Sequence, residues 1–89
     1  MAIEIAKAKQ LIESVFTFDN VGDLMGEIRQ DPSSKEVQSK LAKALTDYAI
    51  PLADDKSADS VSVITKAAEE RAQQFADGVR ASQSGCGGL

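Results

Sequence analysis

The chain has 89 residues, a net charge of −4 and no histidine, which limits it to one domain with a modest core. Its aromatic residues are three phenylalanines and one tyrosine, so aliphatic side chains and alanine must build most of that core. A single cysteine excludes an intramolecular disulfide as a source of stability. Small domains with so little stability to spare often associate with a partner or with copies of themselves.

Charge and hydropathy argue against several classes of partner. Without a basic stripe, the chain lacks the electrostatic footprint of a nucleic-acid-binding protein, and its acidity disfavours anionic membranes. No apolar run approaches the roughly 20 residues of a membrane span, and the N-terminus lacks the apolar segment of a signal peptide. We therefore expect no nucleic-acid partner and no membrane partner. The expected location is cytoplasmic, or a particle assembled in the cytoplasm.

Two helices are predicted before the first proline. Apolar residues recur every three or four positions over residues 3–16, which predicts a first helix. Its inward face consists of Ile5, Ala8, Ile12 and Val15. Thr17 is a candidate N-cap for a second helix over about 19–30, with Asp19 as a competing cap. The inward face of the second helix consists of Val21, Leu24, Met25 and Ile28. The pattern leaves open whether these helices are one kinked rod or two segments.

Gly22 and Gly26 form a small-xxx-small pattern in the second helix. In membranes this spacing lets two helices approach closely, but here the window is short and charged. Two interpretations remain. The glycines loosen the helix, or they mark a close helix crossing within the chain or between copies.

Proline marks both ends of the third helix. Asp31-Pro32 stops the second helix, because the residue before proline avoids the α region. Ser33 and Glu36 then fit the capping-box pattern. The apolar face of the third helix consists of Val37, Leu41, Ala44, Leu45 and Tyr48. Ile50-Pro51 predicts the end of this helix or a sharp kink.

The last predicted helix is the longest. It follows a polar loop over residues 53–59, runs over about 58–82 and spans roughly 36 Å. Its candidate caps are Asp55, Ser57 and Asp59. Its apolar stripe consists of Val61, Ile64, Ala68, Ala72, Phe75 and Val79. Residues 83–89 are rich in glycine, which predicts a flexible tail.

The predicted fold is an all-α bundle of three to four helices with a long C-terminal helix. Residues 1–82 form the single helical domain, and residues 83–89 form the tail. The predicted core consists of Ile5, Ile12, Val15, Leu24, Ile28, Leu41, Leu45, Ile64, Phe75 and Val79.

Catalytic and metal-binding chemistry finds no support in the sequence. Histidine, the commonest general base and metal ligand, is absent. One cysteine cannot form a CxxC zinc or redox site, and no glycine-rich phosphate loop occurs. The acid pairs Asp54-Asp55 and Glu69-Glu70 are interpreted as solvated surface. We therefore predict no enzymatic activity, no catalytic residue, no cofactor and no metal site.

One functional hypothesis is a structural or adaptor subunit that self-associates or joins a larger particle, such as a virion. The last helix is longer than the roughly 30 Å diameter of a small domain, so part of its Val61-to-Val79 stripe should project as a binding face. The tail would then lie along a neighbour. Cys86 is an incidental thiol or an intermolecular crosslink point.

The other hypothesis is a small acidic regulatory or inhibitory protein that docks on a basic partner protein. Four acids recur every four positions along the second helix: Asp19, Asp23, Glu27 and Asp31. We call them the acidic row. A simpler interpretation is that acids favour the first turn of a helix and that the outer face of any surface helix is polar.

Overall fold

The computed structural model describes the backbone of residues 3–87 and the side chains of residues 3–82. The helices are α1 (Ile5–Val15), α2 (Phe18–Gln30), α3 (Lys35–Ala49) and α4 (Ala58–Gly87), with a 3-10 turn (Ile50–Leu52) after α3. This confirms the predicted all-α bundle with a long C-terminal helix. Leu89 and the side chains of residues 83–87 lie outside the described part of the chain, and the flexible tail stays a prediction.

A break at Phe16 and Thr17 divides α1 from α2, so the two helices are separate segments. Thr17 has an extended backbone, and its Oγ1 accepts a hydrogen bond from the Asn20 backbone N–H at 3.3 Å. The Asn20 side chain donates in turn to the Val15 carbonyl at 3.0 Å. Thr17 is therefore the cap of α2, as predicted, and Asp19 is not. Together these hydrogen bonds satisfy polar groups that both helix ends would otherwise leave unpaired.

A kink lies inside α2 at Val21, whose φ of −134° and ψ of 20° are not helical. Its side chain is buried in the core. A Cβ added at Gly22 would lie 3.4 Å from Cδ1 of Phe18, whereas one added at Gly26 would meet no atom within 4 Å. Phe18 thus folds against the turn that follows the kink. Neither glycine marks a close crossing of two helices in the described part of the chain.

The predicted capping box of α3 is wrong. Ser34, not Ser33, is the N-cap, and its Oγ accepts a hydrogen bond from the Val37 backbone N–H at 3.3 Å. The reason lies in the preceding turn, where the Ser34 N–H donates to the Asp31 carbonyl at 3.2 Å. Pro32 and Ser33 are the two central residues of this turn, so the helix begins one residue later than predicted.

Ser57 caps α4, which begins at Ala58 as predicted, so the polar loop ends two residues before its predicted end at position 59. Its Oγ accepts a hydrogen bond from the Ser60 N–H at 3.3 Å, and its own N–H donates to Asp55 Oδ1 at 2.9 Å. Hydrogen bonds from Ser57, first of all the one from its backbone N–H, hold the pKa of Asp55 below its ordinary value. Of the three candidate caps, Ser57 therefore caps the helix and Asp55 orients it.

Helix α4 packs against both α1 and α3. It runs parallel to α1, as three contacts at successive levels show. The Ile3 N–H donates to Ser60 Oγ at 2.9 Å, Glu13 pairs with Arg71, and the Phe16 ring meets the Phe75 ring. It runs antiparallel to α3: Thr46 lies beside Thr65 at one level, and Lys35 lies beside Gln73 at another.

Six of the ten predicted core residues are buried, namely Ile12, Val15, Ile28, Leu41, Leu45 and Ile64. Leu24, Phe75 and Val79 are half-buried and pack against the edge of the core. The prediction is wrong for Ile5, whose side chain is 64% exposed, because Ile3 packs against the core at that end instead. Tyr48 on α3 is also exposed. The buried positions of α4 are otherwise small: Ser60, Ala67, Ala68, Ala72 and Ala76.

The molecule is elongated, with principal extents of 49 × 21 × 20 Å and a Cα radius of gyration of 13.8 Å. A compact domain of this length would have a radius of about 12 Å. The difference comes from α4, whose 30 residues span about 45 Å. Because α1 ends beside Phe75 and α3 begins beside Gln73, the C-terminal third of α4 projects past both helices.

Candidate functional site

The predicted apolar stripe of α4 is buried in its middle and half-buried at both ends. Ile64, Ala68 and Ala72 are fully buried in the chain's own core. Their assignment to a partner-binding surface is therefore wrong, because α1 and α3 cover this stretch of the helix on both sides. Phe75 and Val79, one turn apart near the projecting end, are only half-buried. Val61, near the opposite end of the helix, is half-buried as well.

A groove of about 500 Å³ lies along the exposed edge of Phe75. It is lined by Arg29, Arg71, Gln74, Phe75, Gly78, Val79 and Ser82, and we call it the Phe75 groove. Its α4 wall follows helical spacing, with lining residues three and four positions apart. A Cβ added at Gly78 would meet no atom within 4 Å, so the groove is open at its middle.

Aromatic contacts fix the inner wall of the groove. The Phe16 and Phe75 rings meet edge to face, with centroids 5.4 Å apart and planes at 62°, which is a favourable geometry for two rings. The Arg71 guanidinium lies 4.6 Å from the Phe16 centroid. Its Nε donates to Glu13 Oε2 at 2.5 Å. Ring packing and this ion pair thus tie the end of α1 to α4 beneath the groove.

Arg29 connects the groove to the start of α2. Its guanidinium carbon lies 5.8 Å from the Phe18 centroid and 5.9 Å from the Phe75 centroid, both within cation–π range. The Phe18 side chain is 68% exposed. Arg29 therefore lies close to two rings, one in the groove wall and one exposed at the start of α2.

The sequence did not predict Phe18, Arg29 or Arg71 as site residues. Arg29 and Arg71 are far apart in the chain, and the packing of α2 against α4 brings both to the groove, while Phe18 meets Arg29 within the kinked α2. One signal could have found part of the site. The chain has only three phenylalanines, and two of them flank Thr17 at the junction of α1 and α2.

The chemistry of the groove is that of non-covalent binding. Its lining includes two arginines and no carboxylate, although the chain carries a net charge of −4. Among residues 3–82, no cluster of three or more His, Cys, Asp or Glu side chains could hold a metal ion. The described side chains also include no buried polar atom without a hydrogen-bond partner.

All four side chains of the acidic row are exposed. Three ion pairs join other side chains: Lys7 with Asp54, Glu13 with Arg71, and Asp77 with Arg80. The kink at Val21 separates Asp19 from the other three acids, so the row does not follow one straight helix. The Cys86 side chain lies outside the described side chains, and its role as a crosslink point stays a prediction.

No family model, curated protein or solved structure matches this chain. None of the helices in the described part of the chain is both long and apolar enough to cross a membrane. The geometry and charge of the chain itself are therefore the basis of the function proposed below.

Proposed function

We propose that the chain is a non-enzymatic adaptor or structural subunit that joins an assembly by binding protein through the Phe75 groove. The observation that carries this proposal is the open groove at the projecting end of α4, lined by the half-buried Phe75 and Val79, with the exposed Phe18 close to its Arg29 wall. An exposed apolar surface bordered by polar groups is typical of an interaction site. Covering it removes apolar area from water, which contributes about 25 cal/mol per Å².

The residue types of the groove support the same proposal. Phenylalanine and arginine are enriched in protein interfaces, whereas most charged residues are depleted at interface centres. Here Arg29 and Arg71 are packed on rings, so their side chains are already partly ordered. Binding then costs less side-chain entropy than it would with free, flexible side chains.

The proposed place of work is the cytoplasm or a particle assembled there. A single cysteine suits a reducing compartment. A small subunit that projects one long helix suits incorporation into a larger particle, such as a virion, or association with copies of itself. In either case the C-terminal tail would follow α4 onto the neighbour.

Site-specific photo-crosslinking in the cells that naturally make the chain tests the proposal. A benzoylphenylalanine at position 18 should form a covalent adduct of defined mass, which peptide sequencing then identifies as another protein or a second copy. The matched control places the same residue at Tyr48, an exposed ring on α3 far from the groove. No adduct at position 18, or the same adducts at both positions, would overturn the proposal.

The second candidate is a small acidic regulatory protein that docks on a basic partner. Exposure of all four acids of the acidic row favours it. The same experiment separates the two candidates when the crosslinker is placed at Glu27. An adduct at position 27 without one at position 18 supports docking through the acidic row instead of the groove.

A further inference from the structure

We infer that the occupant of the Phe75 groove is the projecting end of α4 from a second copy of this chain, packed antiparallel in a two-fold symmetric dimer. The inference rests on the proposed function and decides between its two kinds of partner, another protein and a second copy. It follows from the spacing of the groove residues along α4, from their sizes, and from the length of helix that the bundle leaves uncovered.

The α4 residues that line the groove are placed symmetrically along the helix. They are Arg71, Gln74, Phe75, Gly78, Val79 and Ser82. About the midpoint between positions 76 and 77, position 71 is the counterpart of 82, 74 of 79, and 75 of 78. A second α4 that runs antiparallel about this midpoint therefore presents the same six residues in register. A two-fold symmetric interface requires this self-complementarity, which a foreign helix would have to reproduce with its own sequence.

Residue sizes are complementary in the same register. Phe75 of one copy lies opposite Gly78 of the other, and Arg71 lies opposite Ser82, so each bulky side chain meets a small one. A Cβ built at Gly78 would meet no atom within 4 Å, which leaves room for the incoming ring. Because the distance between packed helices depends on the side chains at the contact, the small residues allow a close approach. Each contact occurs twice, so the dimer covers the exposed edges of both Phe75 rings.

The uncovered length of α4 suits this packing. The helix continues to Gly87, past the ends of α1 and α3, so a second helix can lie beside it. Toward the start of α4, Arg71 and Gln74 also line a second groove, of about 240 Å³, between α1 and α4. The two grooves together extend along α4 from Ala67 to Ser82, roughly 22 Å at 1.5 Å per residue. The end of the partner's α4 therefore has a surface to lie on along its whole length.

Antiparallel packing keeps the arginines of α4 apart. The two copies of Arg71 lie at opposite ends of the contact, separated along the helix axis by about 16 Å. This exceeds the Debye length of roughly 10 Å at 0.1 M salt, whereas a parallel pair would place Arg71 beside Arg71 at a cost in free energy. The contact requires no new partner for Arg71, which stays paired with Glu13.

Sedimentation velocity of the purified full chain, at concentrations up to about 1 mM, tests the inference. We expect a monomer–dimer equilibrium without larger species, because a two-fold contact closes on itself. In a mixture of isotope-labelled and unlabelled chains, isotope-filtered NMR should show contacts from Arg71 of one copy to Ser82 of the other. These two residues are three helical turns apart within one α4, too far for such a contact inside a single chain.

A matched pair of variants tests the open middle of the groove. Gly78→Gln fills the space opposite Phe75, and its Cβ would meet no atom of its own chain, so the monomer should fold as before. It should raise the dissociation constant of the dimer at least about a hundredfold, tenfold for each of the two contacts. Ser39→Gln, at an exposed position of α3, should leave the dimer unchanged. Circular dichroism verifies the fold of both variants.

The inference is overturned if the chain stays monomeric up to about 1 mM or forms an open series of larger oligomers. It is also overturned if the dimer lacks the contact between Arg71 and Ser82, or if Gly78→Gln leaves the dimer intact. A monomeric chain that still forms an adduct with another protein at position 18 would overturn the second copy and leave the proposed function standing. The proposed function fails separately, when no adduct forms at position 18 in the crosslinking experiment.

Discussion

At the scale of single residues, the two apolar side chains Ile64 and Phe75 of α4 have very different surroundings. Ile64 is enclosed by α1 and α3 and has no exposed surface, whereas Phe75 packs on Phe16 and Arg29 and borders the groove with its remaining edge. For side chains of similar size, a fully enclosed one stabilises the fold more than a partly exposed one, because the free energy follows the apolar area removed from water.

Removing a fully buried side chain should therefore cost more than removing an exposed one of similar size. Leu45→Ala should lower the free energy of unfolding by about 2–5 kcal/mol, since Leu45 has no exposed surface. Ile5→Ala, at a position that is mostly exposed, should change it by about 0.5 kcal/mol or less. Urea unfolding followed by circular dichroism measures both. Equal losses would contradict the core described above.

The ring pair beneath the groove should contribute a measurable coupling energy. In a double-mutant cycle with Phe16→Leu and Phe75→Leu, we expect a coupling of about 0.5–1.5 kcal/mol, the usual value for an edge-to-face pair. Urea unfolding of the four proteins in the cycle gives this quantity. A cycle of Phe18→Leu with Tyr48→Leu joins two rings on different helices and should show coupling near zero.

Asp55 should make the stability of the chain depend on pH in the acidic range. Its pKa is lowered in the folded state by hydrogen bonds from Ser57, so its stabilising effect is present above the ordinary value of about 3.9. The effect is lost as the pH falls through the lowered pKa of the folded state. Titration of the Asp55 carboxyl carbon by NMR should give a pKa below the ordinary value.

A matched pair of variants isolates this contribution of Asp55. Below about pH 4, the wild type should lose more stability than Asp55→Asn, which has no carboxylate to protonate. Asp47→Asn, on the exposed face of α3, should lose as much as the wild type. An Asp55 pKa at or above its ordinary value would show that the hydrogen bonds from Ser57 do not form in solution.

At the scale of the elements, three serine or threonine caps determine where the helices begin. Thr17, Ser34 and Ser57 each accept a hydrogen bond from the backbone N–H three residues later. These bonds are local, so the residues that make them can be recognised in the sequence without knowledge of the fold. They explain why α2, α3 and α4 begin within about two residues of their predicted starts, within the usual uncertainty of helix ends.

Ser33 and Ser34 offer a direct test of the α3 cap. Ser34→Ala should lower the free energy of unfolding by about 1 kcal/mol because the Val37 N–H loses its acceptor. Ser33→Ala, one residue earlier in the exposed turn, should change it by a few tenths of a kcal/mol at most. Thermal or urea unfolding distinguishes the two. A larger loss for Ser33→Ala would restore the capping box that the sequence predicts.

At the scale of the whole molecule, unequal helix lengths produce both the shape and the groove. Helix α4 has 30 residues, whereas α1, α2 and α3 have 11, 13 and 15. Three short helices cannot cover one helix twice their length. The end left uncovered is the one beside α2, where Phe75 and Val79 are only half-buried.

Small-angle X-ray scattering should detect this shape. At concentrations where the chain is monomeric, the distance distribution should be asymmetric, with a long tail reaching at least the 49 Å principal extent of the molecule. A symmetric distribution with a radius of gyration near the roughly 12 Å of a compact domain would mean that the end of α4 folds back onto the bundle.

Local chemistry in the sequence was sufficient to predict the helices. Proline at positions 32 and 51 and the cap at Thr17 act on their immediate neighbours, so they predict where helices end and begin without knowledge of the fold. Helical periodicity likewise identified Ile12, Leu41, Leu45 and Ile64 as core, because these positions lie in the middle of their apolar faces.

Only the tertiary structure determines whether residues at the ends of those apolar faces are buried, and where the candidate site lies. Ile5 and Phe75 both lie near the end of an apolar stripe. Helical periodicity shows which face of a helix is apolar, but it does not show whether a neighbouring helix is long enough to cover the end of that face. That depends on the relative lengths and directions of helices that are distant in the chain. The Phe75 groove has the same origin, since Arg29 of α2 reaches Phe75 and Arg71 of α4 only because α2 packs against α4 after α1 has run parallel to it.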